Sequence, residues 1–486
     1  MKRFLWLGFV LCLDLICSGC GDTFRPIIIP NPPTFPNPKA AHTVVAINDN
    51  GIFTPGTAMV VDVSGDTNVS VANVDIAPVH AVQQTANQVL VVNRAVTGLN
   101  PPPDTCLVAI PPNPPNQVFN VCSSITKLNF SGTVIASTSA ITLPPYSEAN
   151  FVATTESSQA YVLLPHYIPD PIKSPTVIVP SVGVVNTQSN NLGTTKPVGS
   201  KPVAMAETPN AQKLYVANQG DNTVSGFSVQ SQSLSQRTIN GSFNAPLWVI
   251  ARSDSQRVYV LNGDGVVSTI DITSTAGPDN VIDASISAPK ATYMLYDGNK
   301  NRLYIPGGTQ LTILDVSQST PQILAGSPIA IPTVVPSLRL SSDPCSKTSE
   351  RTLTVAAVAA LPDGSRAYVG AYYEDTVNNI NYICPQVTVI NVASNTIKSS
   401  TAIPGFPAYD AFCSTTIPSP RVRFRVTMAA AGDSSRAYLA SCDGGNVNII
   451  DTTSDSYILN LPAPIGVRPG GTQNLPQNPV FLFAGP

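Results

Sequence analysis

The sequence predicts an all-β protein, a β-propeller of eight four-stranded blades, and three observations carry that prediction. First, a two-strand unit recurs along most of the 486 residues. Its clearest copy is Leu214-Tyr215-Val216-Ala217-Asn218, a Gln219-Gly220-Asp221-Asn222 turn, and an alternating run from Thr223 to Val229. The turn supplies the positive-φ residues that a hairpin needs. Second, the tyrosines Tyr215, Tyr259 and Tyr304 stand 44 and 45 residues apart. A period in the forties with four short strands per period is the signature of a propeller blade. Third, only 11% of residues are charged and Val, Ile and Thr abound, with none of the periodicity that long soluble helices need.

The chain opens on an export signal. Lys2 and Arg3 precede an apolar run from Phe4 to Ile16, broken only by Asp14 and too short to span a bilayer as a helix. The run ends in Cys17-Ser18-Gly19-Cys20-Gly21, which resembles a bacterial lipoprotein cleavage box. It departs from that pattern at Cys17, where Leu is usual. The resemblance implies that residues 1–19 are removed and that Cys20 carries the lipid. Residues 20–41 are rich in proline, with Pro26, Pro30, Pro32, Pro33, Pro36 and Pro38. They read as a semi-rigid tether that holds the body roughly 60 Å from the anchor. The expected address is the bacterial cell envelope, at the outer membrane or the periplasmic face.

From residue 42 to 486 the chain reads as one propeller domain. With blade strands lettered a to d, the best unit has a at Pro202 to Ala206, b at Leu214 to Asn218, c at Thr223 to Val229 and d near Leu234 to Ile239. Units at 246–272 and 291–316 repeat the pattern, and units around Tyr161, Tyr368 and Tyr438 repeat it with longer loops. A weaker unit has Leu90 in the tyrosine place. Asn478 to Phe483 reads as a lone strand a at the C-terminus, whereas residues 42–76 read as b, c and d without an a. The last strand is therefore expected to complete the first blade and close the ring, which leaves no open gap between blades. Eight a-strands count eight blades, with seven if one weak unit is a loop insertion.

The residues Leu214-Tyr215-Val216-Ala217-Asn218 with Asn222-Thr223-Val224-Ser225 resemble the YVTN-type β-propeller repeats of bacterial and archaeal surface proteins. The resemblance covers about residues 42–486. It implies the fold and leaves function open, because propellers host binding, scaffolding, lactone hydrolysis and quinone or copper chemistry.

Loop lengths point to one face. The a–b turns are short throughout. Residues 94–116, 165–180 and 371–385 read as long b–c loops, and residues 328–351, 404–424 and 463–478 as long d–a loops. In a propeller both kinds lie on the same face, and long loops on a rigid scaffold are where binding sits. Six cysteines follow Cys20, an even number in an exported chain. Their places in the blades suggest the pairs Cys106–Cys122, Cys345–Cys384 and Cys413–Cys442.

Catalytic signals are sparse. There is no GxSxG, no glycine-rich phosphate loop and no nucleophile–base pair. His42, His80 and His166 have no ligand spacing, so neither metal nor cofactor is read; His80 starts a strand a and faces either the central channel, or solvent or the packed core as an ordinary histidine. Asp62, Asp271, Asp315 and Asp451 recur at one strand-c position, as a repeat feature bonded to a neighbouring turn. Arg421, Arg423 and Arg425 alternate toward a strand a and share one side, as an anion-binding patch at the channel mouth or as a solvated edge. Tyr372, Tyr373, Glu374 and Asp375 stand in a long b–c loop as candidates for contact with a sugar or cation. A net charge of -3 argues against a nucleic-acid partner. The expected function is a membrane-anchored binding or scaffold module whose long-loop face takes a protein or polysaccharide. The alternative is a periplasmic propeller enzyme or electron-transfer subunit of the lactonase or quinone-dehydrogenase kind.

Overall fold

The computed structural model describes residues 42–51, 54–95, 107–109, 118–120, 123–144, 147–170, 173–174, 177–333, 342–347, 351–415, 422–467 and 474–485. The expected leader with Cys20, the tether, the pair Cys106–Cys122 and Arg421 lie outside these residues. Eight sheets, antiparallel except for the short Ile239–Asn240 pairing at the edge of blade 5, make eight blades in a ring. Blade 1 takes its strand a from the C-terminus, as expected: Thr43–Asp49 pairs with Thr57–Asp62 on one side and with Asn478–Ala484 on the other, Val45 facing Phe483. The remaining a-strands begin at Ile76, Phe151, Pro202, Trp248, Leu295, Thr354 and Val426 in blades 2 to 8.

Burial peaks at strand b and falls toward the rim, and the sequence pattern follows it. Strand b lies inside the sheet and is covered on both faces by neighbouring blades, so Lys213–Asn218 is buried at every position and its centre, Leu214 to Ala217, reads as an unbroken apolar run around Tyr215. Strand d lies at the rim, and Ser456–Pro462 alternates exposed and half-buried. The recurring tyrosines Tyr161, Tyr215, Tyr259, Tyr304, Tyr368 and Tyr438 are fully buried. Each large side chain removed from water this way contributes about 1.5–3 kcal/mol.

The repeat carries a second signal that the sequence reading passed over: a basic residue two positions before the tyrosine. Lys213, Arg257, Arg302, Arg366 and Arg436 occupy that place. Each reaches the c–d turn region of the next blade. Lys213 Nζ donates to Asp279 at 3.0 Å, Arg257 to the Ser319 carbonyl at 3.2 Å, and Arg302 to the Val392 carbonyl at 2.7 Å. Arg366 pairs with Asp455 at 2.6 Å. Arg436 pairs with Asp66 of blade 1 at 3.0 Å and so staples the last blade to the first. The strand-c aspartates behave as the repeat suggested. Asp62, Asp271, Asp315 and Asp451 each accept the backbone N–H two residues on, which caps the c–d turn.

One loop assignment changes. Residues 371–385 are largely strand: Arg366–Val377 and Ile380–Asn391 pair over their whole length as one long hairpin with Asn378-Asn379 at its tip. Both tip residues have positive φ, as the tight turn requires. The alternation in Tyr372 to Val377 continues strand b past the blade, which loop-length counting alone does not detect.

Candidate functional site

On the long-loop face, blades 7 and 8 carry a connected rim. Cys345 sits in the short 3-10 turn Pro344–Lys347 and is disulfide-bonded to Cys384 on the long hairpin. Cys413 ends the four-residue helix Asp410–Cys413 and is bonded to Cys442 in the b–c turn of blade 8. Asp343 Oδ1 accepts from the N–H groups of Cys345 at 2.9 Å and Gly405 at 3.3 Å. Gly405 has to be glycine here, because a Cβ would stand 2.2 Å from Cys345 Sγ.

The candidate residues of this region hold the rim together. Arg425 is buried, grips Asp443 through Nε at 2.7 Å and Nη2 at 2.8 Å, and bonds Glu374 Oε1 at 2.9 Å. Asp443 also accepts from the Tyr409 N–H at 2.6 Å. Tyr373 is buried and donates to the Cys345 carbonyl at 3.3 Å. Asp375 is buried and takes Arg351 at 2.7 Å, and Tyr372 lies under the Arg425 guanidinium. Glu374 keeps about half of its side chain in solvent, at 48%. The exposed chemistry of the hairpin is therefore Glu374, Thr376, Asn378, Asn379 and Ile380.

Arg423 and Arg425 do not share a side. They precede strand a of blade 8, which starts at Val426, so strand alternation does not govern them. Arg425 points into the rim, and Arg423 crosses the axis of the ring. Its Nη1 donates to the Val203 carbonyl of blade 4 at 2.5 Å and its Nη2 to the Leu247 carbonyl beside blade 5 at 2.8 Å. Its guanidinium lies over the Trp248 ring at 4.4 Å, with Phe151 and Phe424 at 5.9 and 5.6 Å. Burial lowers its pKa to about 9, which still leaves it charged at neutral pH. With its donors committed to carbonyls and its face to aromatics, it closes the long-loop end of the channel.

Beneath that plug the channel is open. A cavity of about 230 Å³ runs along the a-strands of all eight blades. At the plugged end it meets His80, Phe151, Trp248, Tyr293, Phe424 and Phe481, and at the other it reaches the a–b turn residues Thr155, Pro209 and Pro362. His80 does face the channel. Its ring stacks on Phe151 at 3.8 Å, and its Nδ1 accepts the Val152 N–H at 3.5 Å. Burial, with Arg423 nearby, pushes its pKa down to about 3, so it is neutral. Glu207 is buried at the end of strand a in blade 4. Its Oε2 accepts the Thr155 N–H at 2.6 Å, and burial pushes its pKa up to about 8. Glu207 went unnoticed in the sequence because nothing near it marks a carboxylate for burial. Among the described residues no three His, Cys, Asp or Glu side chains gather closely enough to hold a metal ion, and no helix is long and apolar enough to cross a membrane.

No protein-family model matches the chain, and no curated protein is similar to it in sequence. Among solved structures, AztD from Citrobacter koseri superposes with a TM-score of 0.52 at 9% identity, over 90% of this chain and 96% of AztD. A functionally unknown protein from Desulfotomaculum acetoxidans DSM 771 superposes at 0.49 and 9% identity, over 92% of this chain and 99% of that one. A putative 6-phosphogluconolactonase from Bacteroides uniformis ATCC 8492 superposes at 0.43 and 11% identity, over 74% and 94%. At 9% identity the likeness to AztD is one of fold alone. The resemblance to YVTN-type repeats is left without a family match.

Proposed function

We propose that this protein is an exported, lipid-anchored propeller that binds a protein or polysaccharide of the cell envelope through its long-loop face. The observation that carries this reading is the rim of blades 7 and 8. There two disulfides, the Arg425–Asp443–Glu374 cluster and a twelve-by-twelve-residue hairpin fix a projecting surface. Ordering such a surface in advance lowers the entropic cost of binding. The hairpin tip then offers Glu374, Asn378, Asn379 and Ile380, a mixture of hydrogen-bonding groups around one exposed apolar side chain, Ile380 at 47%. The lipid at Cys20 and the proline tether would hold that face out from a membrane.

The experiment is a binding series with the full mature chain against purified cell-wall glycan and solubilised envelope protein. Glu374→Lys and Ile380→Asp alter the tip, and Asp363→Lys alters an exposed a–b turn on the opposite face. Tip variants should weaken binding at least tenfold while Asp363→Lys leaves it unchanged. Equal binding by all three would sink the reading.

A further inference from the structure

The channel cavity belongs to neither the rim nor its proposed partner. It reaches the face opposite the long loops. That end is ringed by Ala206, Ile250, Ala360, Ala430 and Ala484, each partly exposed at or near the end of a strand a. Small residues in four of these five places leave the mouth wide. The walls are mostly Ala, Val, Met and Leu, with Thr154, Thr427 and Glu207 as polar exceptions, and the far end is an aromatic floor. Trp248 meets Tyr293 edge-on at 5.0 Å and Phe151 at 5.9 Å, and Phe424 lies 5.4 Å from Tyr293.

We propose that this channel is a second binding site, entered from the short-turn face, for a small uncharged apolar molecule seated on the Trp248–Tyr293–Phe424 floor. Its size sets the scale. A dry cavity of about 150 Å³ takes one benzene, so 230 Å³ suits a fused-ring aromatic or a short aliphatic chain. Its charge sets the class. His80 accepts a backbone N–H and is neutral, and Glu207 is held toward its protonated form by burial. Arg423 stands behind the floor with its donors bound to two carbonyls. A ligand carboxylate would find no cation among the lining residues, and a ligand cation would have to ionise a buried carboxyl. An uncharged body loses nothing on entry and gains contact with apolar walls.

The sequence contains its own reporter. Of two tryptophans, Trp6 lies in the expected leader and Trp248 forms the floor. In a Trp6→Phe background, emission comes from Trp248 alone, and bromine quenches it only on close approach. The probes are 1-bromooctane and 8-bromooctanoate, which share a chain and differ in charge. The expected result is saturable quenching by 1-bromooctane, with the carboxylate at least tenfold weaker at pH 7.5. Ala206→Leu and Ala430→Leu should each abolish saturation, with unfolding midpoints near that of the parent. The hairpin variant Ile380→Asp should quench normally, which separates this site from the rim. Absence of saturable quenching, or full quenching in both mouth variants, would overturn the site. Equal affinity for the carboxylate would overturn its uncharged class.

Discussion

The guanidinium of Arg423 lies 4.4 Å over the indole of Trp248, although the two enter the channel from blades three apart in the ring. Arg423 comes from the loop before blade 8, and its second anchor, the Val203 carbonyl, belongs to blade 4 directly opposite. One side chain thus spans the axis of an eight-membered ring. A partly desolvated cation–π contact of this kind is worth about 2 kcal/mol.

Arg423→Ala should therefore destabilise the protein by about 2–3 kcal/mol in urea denaturation, since two carbonyls also lose a charged donor. Trp248 emission should shift to the red as water enters the floor. Arg423→Met keeps the apolar stem and should lose less than the alanine variant. An alanine variant as stable as the parent, with unshifted emission, would show that the plug contributes nothing.

Two channel groups predict the shape of the pH–stability curve. Folding lowers the His80 pKa from its ordinary 6.5 to about 3. Between those values only the unfolded state binds the proton, so His80 makes stability rise with pH up to about 6.5 and contributes no slope above it. Folding raises the Glu207 pKa from 4.5 to about 8. Between those values only the folded state holds the proton, so Glu207 makes stability fall as pH rises from about 4.5 to 8. The two slopes offset each other from pH 4.5 to 6.5. His80→Phe should move the optimum toward acid, and Glu207→Gln should move it toward alkali. Denaturation midpoints across pH 4 to 9 read both shifts, and curves parallel to the parent's would contradict the assignments.

The disulfides close sequence separations of 39 and 29 residues. Loops of this length predict about 3–4 kcal/mol for each, less any strain relieved. Cys345→Ser with Cys384→Ser should lower the melting temperature. It should also speed amide exchange in residues 366–391 more than in blades 3 to 5. Uniform exchange throughout would mean that the bond does not pin the hairpin.

Inter-blade staples differ in depth, and their energies should follow. Asp279 is fully buried and accepts from Lys213 at 3.0 Å, the Tyr215 hydroxyl at 2.6 Å and Arg237 at 2.9 Å. Removing it strands two cations, so Asp279→Ala should cost about 3–5 kcal/mol. Asp66 is partly exposed at the ring closure and pairs with a partly exposed Arg436. Asp66→Ala should cost about 1 kcal/mol or less. Comparable costs in denaturation would reject burial as the deciding factor.

The blades, their number and the closing strand were legible in the sequence because each depends on local alternation and a period of about 44 residues. The pairs Cys345–Cys384 and Cys413–Cys442 were legible because equivalent places in successive blades are equivalent places in space. Other readings failed where local pattern stops governing direction. Arg423 and Arg425 are two residues apart yet part company, because the backbone before Val426 is not a strand. Tyr372 to Asp375 are strand residues because hairpin pairing extends beyond the blade, a fact about partners and not about loop length.

By itself, then, the chain's sequence determined a ring of eight four-stranded blades, its closure by Asn478–Ala484, and the cysteine pairing of the last two blades. The tertiary structure alone decided that the channel is sealed by Arg423 and Trp248 on the long-loop side and left open on the other. The reason is physical. Blade strands answer to neighbours a few residues away, whereas the axis is where residues from eight separate blades meet, and no periodicity records which of them will touch.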